Sequence, residues 1–263
     1  MESRYRSDSG ENQCRENHSI SLGSDSESFA KEEEWDMEGQ MAWRIMNYKK
    51  EIIERINKLS GSRSPYEVFC DWIKCSAISI QNACHIIHNG IWKKREEQFM
   101  QTIRPYGEAG QEFGDMLGLL TMALDHDISD ILGQVYMEAE LGNKSTGQFF
   151  SPFHISRMCA ELGLRDQDGS KKITLNEPSC GAGGMVIATA AVLKNRNINY
   201  QRCLDVVAQD LDWKAIYMCY VQLSLLGIRA VVVQGDTLSA PFIPGKTNPE
   251  CIFYTPRHMG VLI

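Results

Sequence analysis

The sequence predicts an α/β protein in which a C-terminally short, doubly wound parallel sheet follows an all-helical domain. Apolar residues recur at helical spacing from residue 41 to residue 162, and no strand pattern precedes residue 170. Short apolar runs then alternate with helical stretches as far as residue 254, which is typical of crossover units. We therefore expect a disordered acidic tail at residues 1–38, a helical domain at 39–141 and a sheet domain at 142–263.

The net charge of −7 comes from the predicted tail. Residues 1–40 hold 11 acidic and 4 basic side chains, and the other 223 residues hold 23 of each. We interpret the tail as a solvated segment, with a regulatory or DNA-mimicking arm as the alternative. The balanced remainder neither requires nor excludes a nucleic-acid partner.

The sequence favours a cytoplasmic protein without a membrane segment. No apolar run approaches the roughly 18 residues of a membrane-spanning helix, and the polar, acidic N-terminus is unlike a secretory signal. The nine cysteines are scattered without a C-x-x-C pair, which indicates free thiols in a reducing compartment and no zinc site.

Six helices are predicted before the sheet. They cover residues 41–59, 65–87, 92–103, 111–124, 128–141 and 153–162. The second has the clearest start, because Ser64, Pro65 and Glu67 form the pattern of a capping box with proline at the first helical position.

The helical part contains one basic cluster, Lys93-Lys94-Arg95. Glu96 and Glu97 follow it, so a solvated helix surface is favoured over phosphate contact. His85 and His88 lie three residues apart without a nearby set of ligands, so we interpret them as packing or surface residues.

Four strands and two helices are predicted in the second half. The strands cover residues 173–175, 204–208, 229–234 and 251–254, and the helices cover 185–194 and 213–226. Acidic residues follow the first three strands: Glu177, Asp210 and Asp236. Ligands of open α/β sheets bind outside the carboxyl ends of the strands, so we expect these side chains to share one site.

A glycine-rich turn connects the first strand to its helix. Residues 175–184 read L-N-E-P-S-C-G-A-G-G. The glycines permit positive φ and close approach of a ligand, and the helix start offers free N–H groups. The spacing differs from G-x-G-x-x-G and lacks the G-K-[ST] ending of a P-loop, so an ordinary βα turn is the alternative.

The acidic strand ends indicate the kind of ligand. The carboxylate of Asp210 is suited to ribose hydroxyls, that of Asp236 to an exocyclic amino group, and that of Glu177 to an ammonium. A pyrophosphate would be repelled by these carboxylates. The pattern therefore predicts an adenosine-containing ligand with a zwitterionic tail.

Three blocks of the sequence resemble the modification subunits of type I restriction–modification systems and their N6-adenine DNA methyltransferase relatives. They are G-Q-F-F-S-P at residues 147–152, E-P-S-C-G-A-G-G at 177–184, and the pair A-Q-D-L at 208–211 and G-D-T-L at 235–238. The resemblance implies a Rossmann-like methyltransferase sheet that binds S-adenosylmethionine. The implied cofactor-binding residues are Gln148, Phe149, Phe150, Ser151, Pro152, Glu177, Pro178, Ser179, Cys180, Gly181, Gly183, Asp210, Leu211, Asp236 and Thr237.

The sequence departs from that family at its catalytic block, [ND]-P-P-[FYW] after the fourth strand. Here Tyr254, Thr255 and Pro256 occupy that place, and the one Asn-Pro pair, at residues 248–249, precedes the strand. Thr255 and Pro256, with Tyr254 or His258, are the candidate catalytic residues of a variant site. The chain also stops at Ile263, before the last strands of a full methyltransferase fold.

Two functions follow. The first is methyl transfer from S-adenosylmethionine to an adenine amino group in DNA, in a restriction–modification or mobile-element setting. The second is a catalytically degenerate, cofactor-binding subunit that needs or regulates a partner, such as a specificity or restriction subunit. A small-molecule methyltransferase fits the G-Q-F-F-S-P block less well, and a Rossmann dehydrogenase does not fit the glycine spacing.

Overall fold

The structure, a computed structural model, describes residues 37–139 and 150–261. The predicted tail as far as residue 36 lies outside these ranges, as do residues 140–149. Two of the predicted cofactor-binding residues, Gln148 and Phe149, are therefore not described.

Helices make up the described chain before the sheet, as predicted. They are α1 (Met37–Leu59), α2 (Pro65–Ala83), α3 (Gly90–Ile103), a 3-10 helix (Arg104–Gln111), α4 (Glu112–His126), α5 (Ile131–Glu138) and α6 (Phe153–Gly163). Their apolar faces meet in a core that includes the fully buried Ile52, Trp72 and Leu120. Burial of such side chains contributes about 1.5–3 kcal/mol each.

Helix α2 begins with the predicted capping box. The Glu67 N–H donates to Ser64 Oγ at 3.2 Å, and Glu67 Oε2 accepts the Ser64 N–H at 2.8 Å. The helix ends at Ala83, earlier than the predicted residue 87. The reason is the start of α3, where Asn89 caps Trp92 and the Trp92 indole donates back to the Asn82 carbonyl at 3.2 Å, so the chain turns between them.

The sheet has four strands in the described chain: β1 (Ile173–Glu177), β2 (Leu204–Asp210), β3 (Arg229–Gln234) and β4 (Ile252–Tyr254), in the order β1-β2-β3-β4. The first three run parallel, with Glu177 opposite Ala208 and Asp210 opposite Gln234. Their carboxyl ends therefore lie along one side of the sheet, which we call the carboxyl edge. The mixed α/β class with a preceding helical part is confirmed.

Strand β4 corrects one expectation, because it does not extend the parallel sheet. It pairs antiparallel with β3, with Ile252 opposite Val233 and Tyr254 opposite Val231. Its start lies at the carboxyl edge and its end at the opposite, amino edge. The residues after β4 are thus carried away from the ends of β1, β2 and β3.

The crossover helices of the sheet are α7 (Gly184–Asn195), the short α8 (Tyr200–Cys203) and α9 (Trp213–Leu225). Helices α7 and α9 pack into one buried cluster with the strand residues Val206, Ala208, Ala230 and Val232. The alternate residues of β3, Val231 and Val233, form a second, small cluster with Ile252 on the other face. Period-2 alternation along β3 thus separates a helix-covered face from a thinly covered one.

The helical part and the sheet share the larger of these clusters. Trp72 of α2 and Tyr136 of α5 belong to it together with Val192 of α7 and Tyr220 of α9. Lys214, at the start of α9, donates to the Tyr136 hydroxyl at 3.0 Å. The predicted domain boundary near residue 141 stays a prediction. Among the described helices, none has the length and apolar character of a membrane span.

Candidate functional site

The glycine-rich turn forms a tight loop at the carboxyl edge. Gly181 and Gly183 adopt positive φ values of 53° and 94°, and the Gly183 N–H donates to the Cys180 carbonyl at 2.8 Å. A Cβ on Gly183 would lie 3.2 Å from Cys219 Sγ in the helix behind it. Glycine is therefore favoured there both by the backbone conformation and by the close approach of α9.

Asp210 joins the end of β2 to this turn. Its Oδ2 accepts the Gly181 N–H at 2.9 Å, and its Oδ1 accepts the Asp212 N–H at 3.0 Å. Each carboxylate oxygen can accept a further hydrogen bond beyond these. The carboxylate is thus held in one orientation and still has acceptor capacity for a ligand.

The end of β3 is tied to the same turn. Thr237 Oγ1 donates to the Pro178 carbonyl at 2.7 Å. Asp236 accepts the Leu238 N–H at 3.0 Å and the Ser239 hydroxyl at 2.8 Å. The Ser239 hydrogen bond, followed by the Leu238 backbone N–H, lowers the pKa of the Asp236 carboxyl, so it is ionised at neutral pH.

At the end of β1, Glu177 Oε1 accepts the Ser179 N–H at 3.3 Å. Pro178 and Ser179 are exposed on the turn. The structure therefore brings together the three acidic strand ends that the sequence singled out, along one edge and around one glycine turn.

Two leucines stand exposed beside these carboxylates. Leu211 follows Asp210 and is 68% exposed, and Leu238 follows Thr237 and is 94% exposed. Leu238 was not among the predicted site residues, although it follows a predicted acidic strand end in the same way as Leu211. Apolar side chains in these two places can cover the faces of a flat ring.

Phe150 brings the segment before α6 onto the turn. Its ring lies 3.0 Å from the position that a Cβ would take on Gly181, and it makes an edge contact with Tyr136 at 5.3 Å between centroids. The exposed Ser151 and Pro152 follow it. A cleft of about 470 Å³ opens beside Phe150, between α5 and the start of α6.

Cys180 differs from the other turn residues because its side chain is buried. The thiol is hydrogen-bonded to Cys219, and this contact and burial raise its pKa well above the usual range. Its backbone N–H donates to the Gln209 carbonyl at 2.9 Å. Cys180 thus anchors the turn to β2 and α9, and its thiol lies in the core.

A buried polar cluster supports the turn from below, and the sequence analysis missed it. Gln222 of α9 donates from Nε2 to Asp130 Oδ1 at 2.8 Å and to the Ala182 carbonyl at 2.9 Å. Its Oε1 accepts the Leu132 N–H at 2.9 Å. Asp130 also caps α5 through the Gly133 N–H at 2.8 Å. Burial raises the pKa of Asp130.

The Asp130–Gln222 pair therefore links the start of α5, the glycine turn and α9. The only sequence signal was Asp130 before an apolar helix, which predicts a cap but not a partner 92 residues away.

The candidate catalytic residues do not join this group. Thr255 is fully buried beside Ala230, near the start of β3. Its hydroxyl donates to the Ile228 carbonyl at 2.8 Å and accepts the Ala230 N–H at 2.9 Å. Ala230 and Gln234 are four residues apart on β3, which separates Thr255 from the carboxyl edge by about 13 Å.

The neighbours of Thr255 lie at the same amino edge. Pro256 is buried, and the Tyr254 ring stacks on His258 at 5.1 Å between centroids. The physical reason is the antiparallel direction of β4, which takes its end away from the glycine turn. In the described chain, no group of three or more His, Cys, Asp or Glu is arranged to hold a metal ion.

Comparison with known proteins gives one family. The sequence model of the N-6 DNA Methylase family matches residues 127–259, just over half of the 263-residue chain. The match includes Asp130, the segment from Phe150, the glycine turn and all four strands. No curated protein sequence is significantly similar to the chain.

The solved structures that are similar to the chain include two methyltransferases of low sequence identity. One is the methyltransferase subunit of a type I restriction–modification system from Streptococcus thermophilus, with a TM-score of 0.41 and 14% identity; the match covers 75% of this chain and 41% of that subunit. The other is a class I S-adenosylmethionine-dependent methyltransferase from Listeria monocytogenes, with a TM-score of 0.44 and 12% identity, covering 82% of this chain and 67% of that protein. The chain thus spans about two fifths of the length of the streptococcal subunit.

Proposed function

Because the chain belongs to the N-6 DNA Methylase family, we propose that it binds S-adenosylmethionine at the carboxyl edge and serves methyl transfer to an adenine amino group in DNA. The observation that carries this proposal is the hydrogen bond from the Gly181 N–H to Asp210 Oδ2. It joins the glycine turn to the acidic end of the next strand, which is the arrangement that an adenosine-type ligand needs.

The residues at the edge fit the parts of this cofactor. Asp210 keeps acceptor capacity for the ribose hydroxyls, and Asp236, whose pKa is lowered, offers acceptor oxygens to the adenine amino group. Glu177 supplies negative charge opposite the ammonium of the methionine part. The exposed Leu211 and Leu238 are the residues that we propose to cover the adenine ring, and Ser151 and Pro152 follow Phe150, which contacts the turn.

When bound, S-adenosylmethionine supplies an electrophilic methyl group on a sulfonium sulfur. The chain would contribute position, because the turn and the three carboxylates would hold the adenosine and the ammonium in a fixed orientation. Positioning of this kind converts a two-body reaction into an effectively one-body reaction.

A second candidate is a cofactor-binding subunit that relies on a partner for the target base. The observation that favours it is the burial of Thr255 at the amino edge. Its hydroxyl already donates to one backbone carbonyl and accepts one backbone N–H. The partner proposed from the sequence is a specificity or restriction subunit. The proposed cellular location is the cytoplasm, in keeping with the free thiols of the described cysteines.

Calorimetric titration with S-adenosylmethionine tests the shared premise. We expect saturable binding to the wild type and a loss of at least about tenfold in Asp210→Ala, since charge-assisted hydrogen bonds contribute about 1.5–3 kcal/mol each. The matched control is Asp205→Ala, which removes a carboxylate from the amino-edge half of the same strand, where it pairs with Lys172 and Arg229. A folded wild type without binding, or equal losses in both variants, contradicts the proposal.

A methyl-transfer assay on adenine-containing DNA then separates the two candidates. Transfer by the isolated chain supports the enzyme. Cofactor binding without transfer supports the subunit, and restoration of transfer by a partner protein would confirm that role.

A further inference from the structure

A cleft at the carboxyl edge combines aromatic rings with positive charge. It lies between α2, α3, the start of α9 and β4, and has a volume of about 220 Å³. We call it the Trp213 cleft. Its lining includes Lys74, Lys94, Arg95, Trp213, Tyr217 and Phe253.

The Trp213 cleft lies at the same edge of the sheet as the glycine turn. Trp213 is the first residue of α9 and stands three residues after Asp210, so their Cα atoms are at most about 11 Å apart. On the other side, Ile252 at the start of β4 pairs with Val233 near the end of β3. The cleft and the proposed cofactor site therefore occupy the same edge of the sheet.

Trp213 presents a partly open indole held by other rings. It is 37% exposed, stacks on Tyr217 at 5.5 Å between centroids and meets Phe253 edge-on at 6.4 Å. Burial raises the pKa of Tyr217 to about 12, so its phenol is neutral at physiological pH. A fixed aromatic ring with an accessible face is the element on which nucleic-acid-binding proteins stack bases.

Positive charge surrounds these rings. The Arg95 guanidinium lies over the Phe253 ring at 4.5 Å and donates from Nη2 to the Ile252 carbonyl at 2.7 Å. Lys94 forms an ion pair with Glu250, which neutralises the carboxylate on this lining. Lys74 has neither a hydrogen bond nor an ion pair within the described residues. Three cations and one carboxylate leave a net charge of about +2 in the cleft, which favours a phosphate.

We propose that the Trp213 cleft binds one unpaired nucleotide of a DNA strand, with its base stacked on Trp213 and its phosphate near Lys74. The inference rests on the proposed function, because an enzyme that modifies a base must act on it outside the duplex stack. The volume is below the roughly 300–1,000 Å³ of pockets for drug-sized ligands, which limits the occupant to one ring system. The site gives a role to Lys94 and Arg95 of the basic cluster, which the cofactor site does not use.

Fluorescence anisotropy with a labelled single-stranded adenine-containing oligonucleotide of about 12 nucleotides, within the usual range of site sizes, tests this site. The full chain is titrated at several salt concentrations. We expect Trp213→Ala to weaken binding roughly 5- to 150-fold, the range for the loss of one base–aromatic stack, and Trp213→Tyr to restore most of it. Lys74→Gln is expected to reduce the slope of log K against log salt by about 0.7, the value for one phosphate contact on a single strand.

Matched controls are Trp43→Ala, which removes another half-exposed tryptophan, and Lys50→Gln, which removes an exposed lysine of α1. Both are expected to bind the oligonucleotide as the wild type does. The inference is overturned by a folded wild type that does not bind the oligonucleotide. It is also overturned if Trp213→Ala and Lys74→Gln bind as the controls do. Since Lys74→Gln tests the same cleft without removing a packed ring, poor folding of Trp213→Ala leaves the test decisive.

Calorimetry with S-adenosylmethionine on the same preparations keeps the two proposals apart. Loss of cofactor binding in Trp213→Ala, with unchanged oligonucleotide binding, would assign the cleft to the cofactor and overturn the nucleotide site. Absence of cofactor binding in the wild type contradicts the proposed function. The oligonucleotide titrations test the Trp213 cleft independently of that result.

Discussion

The substitution Gln222→Leu tests whether the buried cluster under the glycine turn holds the two parts of the protein together. Gln222 is fully buried, and its amide makes three hydrogen bonds, to the Leu132 N–H, the Ala182 carbonyl and Asp130. Leucine has a similar size but neither donates nor accepts. Asp130 Oδ1 would keep the Gly133 N–H, whereas the Leu132 and Ala182 groups would lose the amide that pairs with them.

Each buried backbone group left without a partner costs about 1–3 kcal/mol, so two of them predict a loss of about 2–6 kcal/mol in the free energy of unfolding. Domains of this size have roughly 5–15 kcal/mol in total, so the effect is large. Urea denaturation followed by circular dichroism measures it. The control is Gln201→Leu, an exposed glutamine whose amide donates to the Leu226 carbonyl at 3.1 Å, for which about 1 kcal/mol or less is expected. A Gln222→Leu variant within about 1 kcal/mol of the wild type would refute the reasoning, because the cost assigned to unpaired buried groups would be missing.

Three further predictions concern pH, the amino edge and the turn. Burial raises the pKa of Asp130 in the folded state. The free energy of unfolding is therefore little affected by this carboxyl below its unfolded-state pKa of about 4, and it decreases as the pH rises from there through the folded-state pKa. Asp130→Asn removes this loss, so its unfolding free energy relative to the wild type should increase as the pH rises above about 4. A difference that stays constant with pH would contradict the shift. Thr255→Val removes the hydroxyl from both the Ala230 N–H and the Ile228 carbonyl, so it should cost about 2–6 kcal/mol without changing the dissociation constant for S-adenosylmethionine. A tenfold change in that constant at unaltered stability would place Thr255 in the site. Gly183→Ala should lower the free energy of unfolding by about 1–3 kcal/mol, because Gly183 has a φ of 94° and a Cβ there would lie close to Cys219 Sγ. The control Gly163→Ala, in open space at the end of α6, should not lower it. Equal effects of the two substitutions in urea denaturation would argue against strain at the turn.

The residues of the carboxyl edge were predictable because their signals are local. Glu177, Asp210 and Asp236 each follow an apolar strand directly, and parallel connection by crossover helices brings such ends to one edge. The capping box at Ser64 was predictable for the same reason, since all its members lie within four residues. Phe150 was predicted through a sequence block, and its ring contacts the turn.

The direction of β4 was not predictable from local pattern. The strand has only three residues, and its orientation depends on how residues 235–251 cross the end of β3, which has no periodic signal. The partnership of Asp130 with Gln222 was likewise invisible, because neither residue type nor spacing specifies a hydrogen bond across 92 positions. The same limit applies to the Trp213 cleft, whose members come from four separate elements.

The core shared by the helical part and the sheet has a consequence for how the protein responds to a ligand. Tyr220 and Gln222 of α9 are covered in part by residues that precede the sheet. A fragment without those residues would expose large apolar rings and a buried amide, so we expect the described elements to melt in a single cooperative transition. A ligand at the glycine turn would then raise the melting temperature of helices that it never touches, and proteases would lose access to both halves at once.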